Sequence, residues 1–123
     1  MCLKMKTADF VVCSEPVTCY KVFVRSHDGR LVTPFQRFPM NLGATYTDGA
    51  PLEILPSEVW HLLFGGAFHA YAYRVSAQRA AEALWEDAVV VKCEIPPATE
   101  IFSGNYGGSA SFAAKTIKLL RIV

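Results

Sequence analysis

The sequence predicts a single α+β domain: a twisted, mostly antiparallel sheet with a main helix at about 76–88 and a shorter one at about 57–64. Three observations carry this. The segment 65–95 reads strand, helix, strand. β-Branched and aromatic runs occupy both ends of the chain, at 18–25 and 112–123. The stretch before Ala88 keeps its apolar residues on the 3.6-residue period of a helix.

Taken in order, residues 1–17 form a lead-in to a domain spanning 18–123, with Phe10-Val11-Val12-Cys13 as a short edge strand closed by Pro16. Translation starting at Met5 fits the lead-in as well as Met1 does. Thr18-Cys19-Tyr20-Lys21-Val22-Phe23-Val24-Arg25 has the composition of a strand. Alternation puts Tyr20, Val22 and Val24 on one face and Cys19, Lys21, Phe23 and Arg25 on the other. Ser26-His27-Asp28-Gly29 supplies turn chemistry, and 30–33 returns as the second arm of a hairpin. From Pro34 to Pro56, prolines at 34, 39, 51 and 56 break any regular period. The apolar residues Phe35, Phe38, Met40, Leu42 and Tyr46 make this connection a flap over the core, with a short strand near 44–47.

Ser57 after Pro56 starts the shorter helix, which Gly65-Gly66 stops. A strand at 67–73 follows. Ser76 is placed to cap the main helix, whose stripe is Ala77, Ala80, Ala81, Leu84, Trp85 and Ala88. Val89-Val90-Val91-Lys92-Cys93-Glu94-Ile95 is the next strand. The glycines and serines of 103–111 predict a surface loop, and 112–123 is the closing β segment.

The composition excludes several classes. At 123 residues, 52% hydrophobic and 19% charged, the chain can bury a core and is too apolar for disorder. A formal net charge of +1 gives no field that would draw nucleic acid or an anionic membrane. No apolar run approaches the roughly 20 residues that span a bilayer. Cysteines at 2, 13, 19 and 93 lack zinc-ligand spacing. Without an apolar leader after Met1, they predict reduced, intracellular thiols. No metal or cofactor is indicated.

The candidate chemistry is sparse. His69 lies inside an apolar strand, where a buried imidazole needs a partner. No Ser, Cys or carboxylate is tied to any histidine by a catalytic spacing, so no catalytic residue is assigned. Gly104-Asn105-Tyr106-Gly107-Gly108-Ser109 presents backbone N–H groups but lacks the lysine of a phosphate loop. His69, Tyr71 and Tyr73 share one face of the 67–73 strand, a composition suited to stacking on a flat ligand. The face of Phe68, Ala70 and Ala72 matches the alanine stripe of the helix. His69, Tyr71 and Tyr73 are therefore predicted to look away from the helix, where Lys21, Arg25 and Tyr106 join them as the ligand-binding set.

The strings Thr18-Cys19-Tyr20-Lys21-Val22-Phe23, Gly66-Ala67-Phe68-His69-Ala70, Val90-Val91-Lys92-Cys93-Glu94-Ile95-Pro96 and Ala114-Lys115-Thr116-Ile117-Lys118 resemble a group of small phage and mobile-element proteins. The resemblance covers about residues 18–123 and brings no activity with it. More remotely, the order of elements is similar to the ADP-ribosyltransferase fold. That likeness implies a first strand in which Lys21 or Arg25 takes the NAD-binding position and a middle strand at 68–73. No glutamate follows Glu100, so the catalytic residue of that family has no counterpart. These readings imply a non-enzymatic binding protein in the bacterial cytoplasm, acting on a small, nucleotide-like molecule or a host protein. The alternatives are a divergent NAD-using transferase and a virion or scaffolding component.

Overall fold

Hydrogen-bonded strands account for most of the chain, and one helix packs on them. The structure is a computed structural model that describes residues 3–5, 10–34, 36–56, 61–84 and 87–123. In chain order the strands before the helix are β1 (Leu3–Met5), β2 (Val11–Val12), β3 (Val17–Arg25), β4 (Leu31–Val32), β5 (Pro39–Met40), β6 (Thr45–Thr47), β7 (Glu53–Pro56), β8 (His61–Gly65) and β9 (Phe68–Tyr71). The helix α1 (Arg74–Leu84) leads into β10 (Ala88–Ile95), β11 (Glu100–Tyr106), β12 (Ser109–Ala114) and β13 (Thr116–Ile122). The main path of the sheet runs β6-β13-β10-β3-β9-β12-β11-β1-β8-β7, with β2 on β11 and the pair β4-β5 on β3. Every pairing among the described residues is antiparallel.

The strand-helix-strand centre is present, and β3 separates its two strands. Because β9 and β10 are each antiparallel to β3, they run parallel to one another on its opposite edges. The helix crosses over β3 between them. It begins earlier than predicted: Ala77 N donates to Tyr73 O at 3.3 Å, so Tyr73 holds the capping position and Ser76 lies in the first turn. Its last described residue is Leu84, and Ala88 belongs to β10. Trp85, the expected anchor, lies outside the described residues.

The sheet has two buried faces. Cys19, Phe23, Val91, Cys93, Ile95, Ile117 and Leu119, each under 2% exposed, form one core with Met40, Ala70, Ile101 and Ala114. The helix sits on the other face, where Ala77 and Ala81 meet Val22, Tyr71 and Val90. On the side away from the helix the 34–56 segment contributes Met40 to the first core, with Tyr46 packed against it. A register shift lets Cys93 pair with Leu119 while Lys92 pairs with Arg121, which leaves Leu120 as a bulge. After the bulge the alternation inverts, and Ile122 joins the first core while Val123 joins the helix side.

Four further expectations are corrected. The shorter helix at 57–64 gives way to strand over 61–64, part of β8 paired with β1 and β7; 57–60 lie outside the described residues. Three apolar residues in succession before a glycine pair serve a sheet as well as a helix, and the partner strands decide. The surface loop at 103–111 is a hairpin, β11-β12, closed by Gly107 (φ 59°) and Gly108 (φ 84°). Two successive positive φ angles make the tight two-residue turn that matches strand twist. The lead-in to the 18–123 domain is partly built into its sheet: Leu3–Met5 lie between β8 and β11. Within the 34–56 flap Met40 is buried and β6 pairs with β13, but Phe38 and Leu42 are exposed.

Candidate functional site

Strand β3 is held very differently along its two edges. One edge pairs with β10 over its whole length, from Val17↔Ile95 to Val24↔Ala88. The other meets β9 at Tyr20↔Tyr71 and β4 at Val24↔Val32 and Arg25↔Leu31. Since Val24 already pairs with β10, β4 and β9 must share the second edge, and between them the sheet forks. A cleft of about 350 Å³ opens there. Its walls are the turn after β4 (Thr33, Pro34, Gln36, Phe38), the end of β6 with the two residues after it (Thr47, Asp48, Gly49), and 65–69.

Lys21 reaches into the cleft from β3. Alternation puts it on the face of Cys19 and Phe23, as the sequence indicates, so its stem runs along core side chains while the amine meets the fork. Nζ donates to the backbone oxygen of His69 at 2.8 Å. Burial pushes the Lys21 pKa down. The neighbouring thiols bring no counter-charge: burial raises the pKa of Cys19, and that of Cys93 to about 12, so both stay neutral. Arg30 and Asp28, 4.0 Å apart, form the ion pair found among the described residues, and it lies in the exposed turn after β3. Lys21 therefore faces the cleft with a neutral carbonyl as its partner.

The wall opposite is built by close backbone packing. Gly66 has φ 77°, and a Cβ there would fall on the backbone of Pro51 and Leu52. Gly65-Gly66, read from the sequence as a helix stop, is thus a left-handed turn that lets two segments touch. Lys115 fastens the same place, donating to Gly66 O at 2.7 Å and to Ala50 O. Asp48 at the rim accepts from Ala50 N at 2.9 Å. Phe68 and Phe38 supply the apolar lining.

The six sequence-predicted site residues divide between places. Lys21 and His69 come together at the cleft. His69 Nε2 is buried without a hydrogen-bond partner, and burial, then the charge of Lys21, pushes its pKa down to about 4. Tyr71 and Tyr106 also meet, edge to face at 6.1 Å, but on the helix side with Ala77 and Ala81. This reverses the predicted orientation: Ala70 lies in the first core with Phe68 packed against it, and Tyr71 packs under the helix. The reason is register, since Tyr71 opposite Tyr20 must share the face of Val22. Tyr73 is 63% exposed beside the helix start, and Arg25 is exposed at the end of β3. Neither lines the cleft.

Sequence reasoning missed Thr33, Gln36, Asp48, Phe68 and Lys115. The Pro- and Gly-rich spacing of 34–56 marked the wall segment without saying which strands it would border. Cys13, Cys19 and Cys93 are free thiols. Among the described residues no group of three His, Cys, Asp or Glu could hold a metal ion, and no helix is long and apolar enough to cross a membrane. No protein-family model, curated protein or solved structure matches the chain. Fold and site together define a strand-rich α+β protein with a cleft at a fork in its sheet.

Proposed function

We propose that this chain is a non-enzymatic binding protein of phage or mobile-element origin that takes a small molecule into the cleft at the fork of β3, β4 and β9. The observation that carries the reading is Lys21, a half-buried amine without a carboxylate partner among the described residues, at the inner side of a cleft of about 350 Å³. An amine so placed favours a ligand that brings an oxygen to Nζ, because a desolvated donor gains most from a second acceptor. Phe68 and Phe38 suit a flat, apolar body, and Asp48, Gln36, Thr33 and Thr47 offer polar contacts at the rim. The phage origin and the bacterial cytoplasm as its place of action rest on the short motifs quoted above.

A ligand-observed NMR screen of small aromatic carbonyl, carboxylate and phosphate compounds tests the reading. Wild type should return hits that weaken at least about tenfold in Lys21→Met, the loss of one good polar contact. Hits unchanged in Lys21→Met would move the site elsewhere. Incubation with labelled NAD and bacterial lysate separates the enzymatic alternative: label transferred to a protein would replace the binding reading with catalysis.

A further inference from the structure

The amine of Lys21 does not look like an ordinary cation site. A lysine that recognises an anion has to stay charged, and a nearby carboxylate is what favours the ammonium. Here the partner of Nζ is the carbonyl oxygen of His69, and the thiols alongside, Cys19 and Cys93, are fully buried. Apart from that carbonyl, no described group pairs with the ammonium, and burial lowers the Lys21 pKa, so a larger share of the side chain is neutral amine than for a solvated lysine. The amine that results keeps one N–H on His69 O and has its lone pair free for the cleft. Phe68 and Phe38 supply apolar surface around it, where water competes weakly for a carbonyl group.

We propose that Lys21 is an imine-forming amine and that the cleft takes an aldehyde or ketone, held as a reversible covalent adduct. This rests on the cleft being the binding site, and it names the class of ligand. The Nζ lone pair adds to the carbonyl carbon, and a C–N bond forms as the C=O π bond breaks. Both N–H protons then leave with the carbonyl oxygen as water, and a C=N bond remains. No oxidant or reductant is consumed, and hydrolysis reverses the step. The bond between Nζ and His69 O positions the amine before attack and is released when the second proton leaves. His69 Nε2 takes no part, because it is buried away from solvent.

The test uses 4-hydroxybenzaldehyde with borohydride on the full chain, followed by peptide mass mapping. One reduced adduct should form at Lys21, at least about tenfold faster than at Lys92 or Lys118, neither of which lines the cleft. It should vanish in Lys21→Arg, which keeps the charge and length but cannot form the imine. 4-Hydroxybenzoate and 4-hydroxybenzyl alcohol, which lack the reactive carbonyl, serve as non-covalent twins measured by ligand-observed NMR. If the benzoate binds in a Lys21-dependent way while no adduct forms at Lys21, the site is an anion site: the imine proposal falls and the cleft reading stands. Labelling spread evenly over the lysines overturns the proposal too. If no adduct forms and neither twin binds, both readings fall.

Discussion

The two edges of β3 invite a direct comparison. Along β10 the pairing is continuous, and the residues that face each other there, Cys19 with Cys93 and Lys21 with Val91, put the first core on one side. Along the other edge the strand is shared by β9 and β4, which diverge between Tyr20 and Val24. The first edge buries apolar area and satisfies backbone groups. The second gives up pairing over the middle of the strand and leaves room for a ligand. A fork is therefore a way to place a cleft beside a rigid strand without a lid or a second domain, and one side chain, Lys21, reports on both edges.

Substitutions can break or sharpen this contrast. The largest effect should come from the closed edge. Phe23→Ala removes a fully buried ring from the first core and should cost about 4 kcal/mol in urea unfolding; a loss below about 1 kcal/mol would deny that this edge is the structural one. Gly66→Ala attacks the fork from its wall. With φ at 77° and Pro51 in the way, it should cost about 3 kcal/mol and loosen the cleft.

Acid should act next most strongly, through His69. Its folded pKa of about 4 lies below the ordinary histidine value of 6.5, so between those values the unfolded chain binds a proton that the folded chain refuses. Stability should be unaffected well above pH 6.5, then fall by about 3 kcal/mol as the pH drops toward 4. His69→Gln should flatten that slope in urea melts taken across the window; an unchanged slope would assign the acid sensitivity to other groups.

Lys21→Met should alter unfolding free energy by no more than about 1 kcal/mol, because the lost bond to His69 is offset by relief of a desolvated amine. Ligand binding should disappear in the same variant, and that separation of stability from binding marks the open edge as functional. Arg25→Ala, two alternations further along the same face but exposed, should change neither stability beyond about 0.5 kcal/mol nor binding; a clear loss of binding would extend the site past the fork.

Much of the element list could be read from composition and period. The β-branched runs read at 18–25 and 89–95 are strands, each one residue longer at its start, the alanine stripe is a helix, and alternation set Lys21 on the side of Cys19 and Phe23. The segments misread were short ones whose state depends on neighbours. Leu62, Leu63 and Phe64 have no period of their own to distinguish strand from helix, and β1 and β7 hold them as strand. The glycine-rich 103–111 looks like a loop until Gly107 and Gly108 are seen to close a hairpin.

Alternation is a local property of the chain, so the sequence alone determined that His69 and Tyr71 share a face and that Phe68 and Ala70 share the other. It carries no information on which face meets the helix. That was decided by the pairing of Tyr71 with Tyr20, a contact between segments about fifty residues apart, which brings Tyr71 under α1 and leaves the backbone oxygen of His69 to Lys21. The fork has the same origin: β4 and β9 each pair well enough with β3 on their own terms, and only their competition for one edge in three dimensions opens the space between them.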